Sequence, residues 1–176
     1  MTRIHRVLLL AGLVFAPITA LAQGAFAVGI GPSFPIGDIG KYAGTGFNVL
    51  GAFTFHIPYS PLGVRLDGSF SQFSYDHIPG NARVFAGTAN AVYSFRGSII
   101  RPYVLGGYGL YHAPHIETIN DHIETSSGYA SGLNAGIGAR TGGVAGLGLF
   151  AEFRFHYVFT PHSGAEFFPL TVGITF

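Results

Sequence analysis

The stretch Leu170–Phe176, LTVGITF, sets Leu170, Val172, Ile174 and Phe176 on one parity and Thr171, Gly173 and Thr175 on the other. A period of two sends alternate side chains to opposite faces of a strand. This segment is therefore a strand with one greasy face and one that tolerates water. Chain ends usually fray and carry polar residues, yet here the alternation runs through to an aromatic ring. The same pattern recurs upstream. FNVLGAFTFHI (47–57) places Phe47, Val49, Phe53, Phe55 and Ile57 opposite Asn48, Thr54 and His56. GVRLDGSFSQF (63–73) opposes Val64, Leu66 and Phe70 to Arg65, Asp67, Ser69 and Ser71. GLGLFAEFRFHYV (146–158) opposes Leu147, Leu149, Phe153, Phe155 and Tyr157 to Glu152, Arg154 and His156.

Division at Gly, Pro and Asn punctuation predicts eight strands, at about 24–34, 46–57, 62–73, 82–96, 101–112, 131–141, 146–159 and 167–176. Each is near or above the roughly 9 to 11 residues with which a tilted strand crosses a bilayer. The even number suits a closed transmembrane barrel. A soluble barrel of the lipocalin kind, apolar inside and polar outside, is the main rival. It needs a charged coat, and only 10% of the 176 residues are charged, with Lys41 the single lysine. A soluble protein carries about 25%. The polar-parity positions are mostly Gly, Ala, Ser, Asn and Thr, which suit a narrow lumen. The expected fold class is all-β, an eight-stranded antiparallel up-and-down transmembrane barrel.

Arg3 and Arg6 precede the apolar run VLLLAGLVFAPITA, and Ala20–Ala22 then supply small residues before Gln23. That is the layout of a cleavable secretory signal; the run is shorter than the roughly 20 residues of a membrane-spanning anchor. Residues 1–22 are expected to be a signal peptide and 23–176 the barrel domain. Loss of Arg3 and Arg6 leaves seven basic residues against eight acidic, a net charge of −1, which argues against a nucleic-acid partner. The chain has no cysteine, so disulfides and thiolate metal sites are excluded.

Connections after the first, third, fifth and seventh predicted strands run from 7 to 18 residues, whereas PYSPL, GSII and TGGVA hold four or five. Long outer loops and short periplasmic turns alternate in this way in bacterial barrels, which would put both mature termini in the periplasm. Tyr93, Phe95 and Tyr103 near a short turn, and Phe47, Tyr111, Tyr157 and Phe159 near long loops, are expected to form interfacial girdles.

FAVGIGPSFPIGD (26–38), RPYVLGGYGLY (101–111), GLNAGIGAR (132–140), LFAEFRFHYV (149–158) and FFPLTVGITF (167–176) together resemble the small outer-membrane β-barrel family of the OmpA and OmpX type. The likeness covers nearly all of the chain beyond residue 22. It implies residence in the bacterial outer membrane among its lipids, a structural or surface-interaction role such as envelope integrity or adhesion, no catalysis and no cofactor. It also implies that the barrel-assembly machinery reads Gly173, Ile174 and Phe176 in the last strand; otherwise these residues only fill that strand. The external partner is set by loop shape, which periodicity does not supply.

Arg65, Asp67, Asn90, Asn134, Arg140, Glu152, Arg154 and His156, with Asn48, are expected to face the lumen. Charges shut away from water must be paired, so this set is read as a hydrogen-bonded plug; a narrow channel gated by Glu152 and an arginine is the alternative. A lipid-modifying enzyme is a third reading. Barrels that deacylate lipid A carry a His-x-Ser pair on a lipid-facing strand, whereas here Val158 stands where the serine belongs after His156. The loop residues His162, Ser163 and Glu166 have nothing in the sequence that enforces a catalytic geometry. Finally, HIETINDHIET repeats His-Ile-Glu-Thr at a seven-residue offset. A two-residue turn at Asn120 and Asp121 would pair Ile119 with His122 and Glu117 with Glu124. That register puts His115, Glu117, His122 and Glu124 on one face, either as a solvated hairpin or as the ligands of a zinc-like ion.

Overall fold

The computed structural model describes residues 24–37, 40, 43–75, 80–119, 122–142, 146–159 and 165–176, and only the backbone for 114–119 and 122–127. The predicted signal segment, His162 and Ser163 lie outside the described residues. The described residues form eight strands: β1 (Gly24–Gly37), β2 (Gly46–His56), β3 (Leu62–Ser74), β4 (Asn81–Ser94), β5 (Ile100–Ile119), β6 (His122–Thr141), β7 (Gly148–Val158) and β8 (Ala165–Thr175). Each pairs antiparallel with the next, and β8 returns to β1 to close the barrel. Closure leaves no strand edge unpaired around the wall, the only way a sheet satisfies its backbone without water.

The seam is completed beyond β8 by Phe176, whose N–H donates to the Phe26 carbonyl at 2.7 Å while Phe26 returns a bond at 3.3 Å. The two rings stack with centroids 6.2 Å apart. The alternation in LTVGITF thus runs to its last residue because that residue is still part of the wall.

The segment expected as an 18-residue loop between two strands is instead a ribbon. β5 continues to Ile119 and β6 begins at His122, joined through two residues. Ile and Thr alternate with His and Glu through this stretch, and β-branched residues favour the extended backbone. β5 stops pairing with β4 beyond His112, and β6 pairs with β7 only from Gly132 onward. The six pairs from Pro114↔Ser127 to Ile119↔His122 lie beyond the last pairing with β4 and β7, a projection of roughly 20 Å at about 3.3 Å per residue. The expected contrast in connection length is corrected accordingly: five or six residues join the strands at one end, and eight, six, two and six at the other. The asymmetry lies in the ribbon, not in the loops.

Parity decides what faces out. Ile30, Leu66, Leu110, Ile137 and Leu149 are each 58–64% exposed on the wall, while Arg65, Asp67, Glu152 and Arg154 are buried inside. This inverts the soluble barrel. Two of the expected girdle aromatics are corrected. Tyr103 and Tyr111 are buried and point inward, because β5 carries large residues on both parities: Tyr103, Leu105 and Tyr111 inside, Val104, Tyr108 and Leu110 outside. Phe47, Tyr93, Phe95 and Phe159 are exposed, Tyr93 lying edge-on to Phe95 and Tyr157 to Phe159.

An eight-stranded barrel is just wide enough for side chains to fill, and here inward glycines make the room. A Cβ on Gly29 or Gly173 would stand 2.7 Å from the Phe150 ring, and one on Gly132 would stand 2.8 Å from Tyr111. Gly138 lies directly against the Tyr103 ring.

Candidate functional site

β3 and β7 stand four strands apart and so face each other across the eight-stranded barrel. Each contributes one arginine and one carboxylate two residues apart, hence on the same inward face. Arg65 Nε donates to Asp67 Oδ1 at 2.6 Å and Arg65 Nη1 to Glu152 Oε2 at 2.7 Å. Arg154 Nη1 donates to Asp67 Oδ2 at 2.7 Å, while its Nε and Nη2 both reach Glu152 Oε1. Arg65 and Arg154 therefore each touch both carboxylates, and two bonds span the lumen. The four charges cancel.

Neutral donors complete the ring. Tyr103 donates its hydroxyl to Glu152 Oε2 at 2.7 Å, and Asn90 Nδ2 donates to Asp67 Oδ2 at 2.6 Å. Thr88 adds a longer bond to the same oxygen at 3.4 Å. All four charged side chains are buried to within a few per cent of their surface. Taking such charges out of water costs several kcal/mol each unless the pairing is excellent and remaining lone pairs are satisfied. Here each carboxylate accepts at least four bonds.

The order of inward residues along the strands places this ring between apolar layers. Climbing β7, Phe150 comes first, then Glu152 and Arg154, then His156 and Val158. Toward the short-turn end lie the clusters Ala27, Leu50, Ala52 and Phe150, and Val92, Tyr103 and Leu105. Toward the ribbon end a larger cluster includes Phe73, Val84, Tyr111, Val158 and Phe167. A cavity of about 30 Å³ beside Arg65, lined also by Thr54, Tyr103, Arg140 and Phe150, offers room for a water. The lumen is thus polar in the middle and apolar toward both ends, drier than the sequence led one to expect.

Of the residues expected in the lumen, Arg65, Asp67, Asn90, Glu152 and Arg154 come together. Asn134 is buried in register with His156 but is not bonded to the ring. Arg140 sits nearer the short-turn end and donates to Ser94 Oγ at 3.3 Å. His156 shares a 2.9 Å hydrogen bond between Nδ1 and the Tyr111 hydroxyl and stacks on Phe167 with centroids 4.6 Å apart. Being enclosed, His156 has no lipid-facing side on which to act as a base. Gly173 faces inward, Ile174 and Phe176 outward. Sequence reasoning missed Tyr103 and Thr88. Tyr103 could have been found by matching it to Gly138 across the β5–β6 register, an inward neighbour without a side chain against which its ring lies.

Among the residues with described side chains, no three His, Asp or Glu come together as a metal site. His115, Glu117, His122 and Glu124 belong to the segment whose side chains lie outside the described residues, although the backbone does pair Glu117 with Glu124 and Ile119 with His122.

Among solved structures, Neisserial surface protein A (NspA) is similar to this chain at 16% identity, TM-score 0.66, with 87% of this chain and 96% of that one covered. Ail, the attachment invasion locus protein of Yersinia pestis, is similar at 18% identity, TM-score 0.53, over 88% and 99%. The N-terminal β-barrel domain of Pseudomonas aeruginosa OprF is similar at 17% identity, TM-score 0.54, over 88% and 98%. No family model and no curated protein matches the chain. The chain has the closed eight-stranded fold of the small outer-membrane barrels.

Proposed function

We propose that the protein resides in the bacterial outer membrane as a sealed barrel with a structural or surface-interaction role, in contact with lipid along its wall and with an external partner through its projecting ribbon. The carrying observation is the division of the inside-out barrel: its apolar residues face outward, and its lumen is filled by a neutralised charge ring between apolar layers. A filled lumen leaves the surface as the place to act. Lipid-modifying catalysis finds no support in His156, which is enclosed beside Val158. A neighbour in fold named for attachment and invasion supports the surface reading by analogy of fold alone. The resemblance further assigns Gly173, Ile174 and Phe176 to recognition by the assembly machinery.

Membrane residence is tested on the wall. Leu66 is outward and mid-strand. Leu66→Arg is expected to cost about 2–4 kcal/mol in lipid vesicles, the cost of a basic side chain near the bilayer midplane. A cost below about 0.5 kcal/mol in urea unfolding would mean that water, not lipid, bathes that face. Orientation and surface role are tested in cells. An epitope placed between Ile119 and His122 is expected to be labelled on intact bacteria, and deletion of residues 114–127 to abolish the protein's contribution to surface adhesion while the barrel still folds. Labelling only after lysis overturns the orientation.

A further inference from the structure

The charge ring leaves one guanidinium nitrogen over. Arg65 directs Nε to Asp67 and Nη1 to Glu152, while its Nη2 is buried without a hydrogen-bond partner. A buried donor with no acceptor costs the full desolvation of that group. Two further arginines stand nearer the short-turn end. Arg101, on the parity of inward Tyr103, pairs directly with Arg140 of β6, so their Cβ atoms lie about 4.5–5.5 Å apart and their like charges repel. Arg140 is partly buried, and its Nη2 donates to the neutral Ser94 Oγ at 3.3 Å. Among the described residues the ion pairs all lie within the ring, and neither Arg101 nor Arg140 makes one. The sequence explains the excess. The connections at this end, 57–61, 95–99 and 142–147, contain no Asp or Glu, and the second of them adds Arg96. Asp67 and Glu152 are already matched by Arg65 and Arg154.

Arg65 and Arg140 meet at one small space. The cavity of about 30 Å³ is lined by both arginines, by Thr54 and Thr175 with their hydroxyls, and by Tyr103 and Phe150. Neither Asp67 nor Glu152 lines it. Thr54 and Thr175 come from the two neighbours of β1, and β1 itself contributes only the small Ala25 and Ala27 there. The Tyr103 hydroxyl is directed to Glu152. Two guanidinium groups and two hydroxyls with no carboxylate form a donor set for an acceptor of negative charge. A water would accept from Nη2 but leave the excess charge in place. Room for one water-sized particle suits a monatomic ion and not a phosphate or carboxylate group. We infer that the short-turn end of the lumen binds one halide ion, chloride in the cell, between Arg65 Nη2 and the Arg140 guanidinium. Its hydrogen bonds are charge-assisted from both sides, hence roughly twice as strong as neutral ones. The ion satisfies the buried Nη2 and offsets the repulsion between Arg140 and Arg101.

The test uses the refolded chain crystallised from detergent with sodium bromide, whose anomalous scattering marks the ion. One bromide peak is expected inside the lumen, in contact with Arg65 Nη2 and the Arg140 guanidinium. In solution, exchanging gluconate for bromide or chloride at constant ionic strength should lower the urea unfolding constant at least about threefold, the factor reached once free anion is twice its Kd. Salts also act on stability through the whole surface, so the site's share is the part that Arg140→Gln removes. That variant discards the charge and keeps a donor, and it should abolish both the peak and the threefold shift. Arg83→Gln, on the outward face of β4 toward the ribbon, should change neither. A heat-dependent gel shift shows that each variant has closed; should Arg140→Gln fail to close, the bromide peak in the unaltered chain decides alone. An ordered water with no bromide in the cavity, or a threefold shift that Arg140→Gln retains, would overturn the inference. Both readouts concern the lumen and stand apart from the surface role proposed above.

Discussion

Glu152→Leu is expected to cost the folded barrel about 3–5 kcal/mol, because it leaves Arg65 and Arg154 facing each other's charge in a closed space with only Asp67 between them. The measurement is urea unfolding of the refolded chain in lipid vesicles. Arg154→Leu should cost a similar amount, since Glu152 would keep Arg65 while Asp67 and Glu152 gained a net negative charge. The informative variant removes both. Glu152→Leu with Arg154→Leu leaves Arg65 and Asp67 as a neutral pair held at 2.6 Å, and apolar groups of similar volume occupy the β7 side. The double variant should therefore be more stable than Glu152→Leu alone, giving a coupling of at least about 2 kcal/mol between the two positions. If each single change costs under about 1 kcal/mol and the two simply add, the ring is solvated and the apolar layers do not shut out water.

The existence of this ring was legible in the sequence, and its closure was not. Arg65, Asp67, Glu152 and Arg154 announce themselves as charges on the wet parity of two strongly alternating strands. That they meet depends on β3 and β7 lying opposite each other, which follows only once the chain has eight strands paired in order. Strand number and order were readable from the alternation, since hairpin-connected strands pair with their sequence neighbours. The inward face of β5 was not readable. In RPYVLGGYGLY, both parities carry large residues, so the periodicity has no sign, and Tyr103 and Tyr111 were read as interfacial when they fill the lumen. Their complement was visible all along as glycine. Gly138 and Gly132 are the spaces those two rings occupy. In a narrow barrel, an inward glycine is better read as the imprint of a large side chain from elsewhere than as a weak position. The ribbon fell between these cases. Its tip register follows from HIETINDHIET, but its continuity with β5 and β6 was obscured by Pro114 and by the Ser-Ser-Gly run at 126–128, which look like loop.

Gly173→Ala and Phe176→Ala separate the two roles assigned to the last strand. A Cβ on Gly173 would collide with the Val28 carbonyl and stand 2.6 Å from Gly29 Cα and 2.7 Å from the Phe150 ring. Two of those three obstacles are backbone of β1, and no rotamer choice relieves a Cβ. The β1–β8 seam would have to open by several tenths of an ångström at Val28↔Ile174 and Gly29↔Gly173. Overpacking of this kind costs about 3 kcal/mol or more when the neighbour cannot yield. Gly173→Ala should thus fail to close, or close only marginally, with purified chain and lipid alone, seen as loss of the heat-dependent gel shift. Phe176 is different. It is 52% exposed on the outer wall and stacks on Phe26, and its seam bonds are made by backbone, which alanine keeps. Phe176→Ala should cost only about 1 kcal/mol in the purified system. If the terminal ring also serves as an address, the same variant in cells should accumulate as unassembled, protease-sensitive chain far beyond what so small a loss of stability explains. Normal assembly of Phe176→Ala in cells would leave the ring a purely structural part of the seam. A Gly173→Ala barrel that closes normally in lipid would instead remove the steric reading of the seam itself.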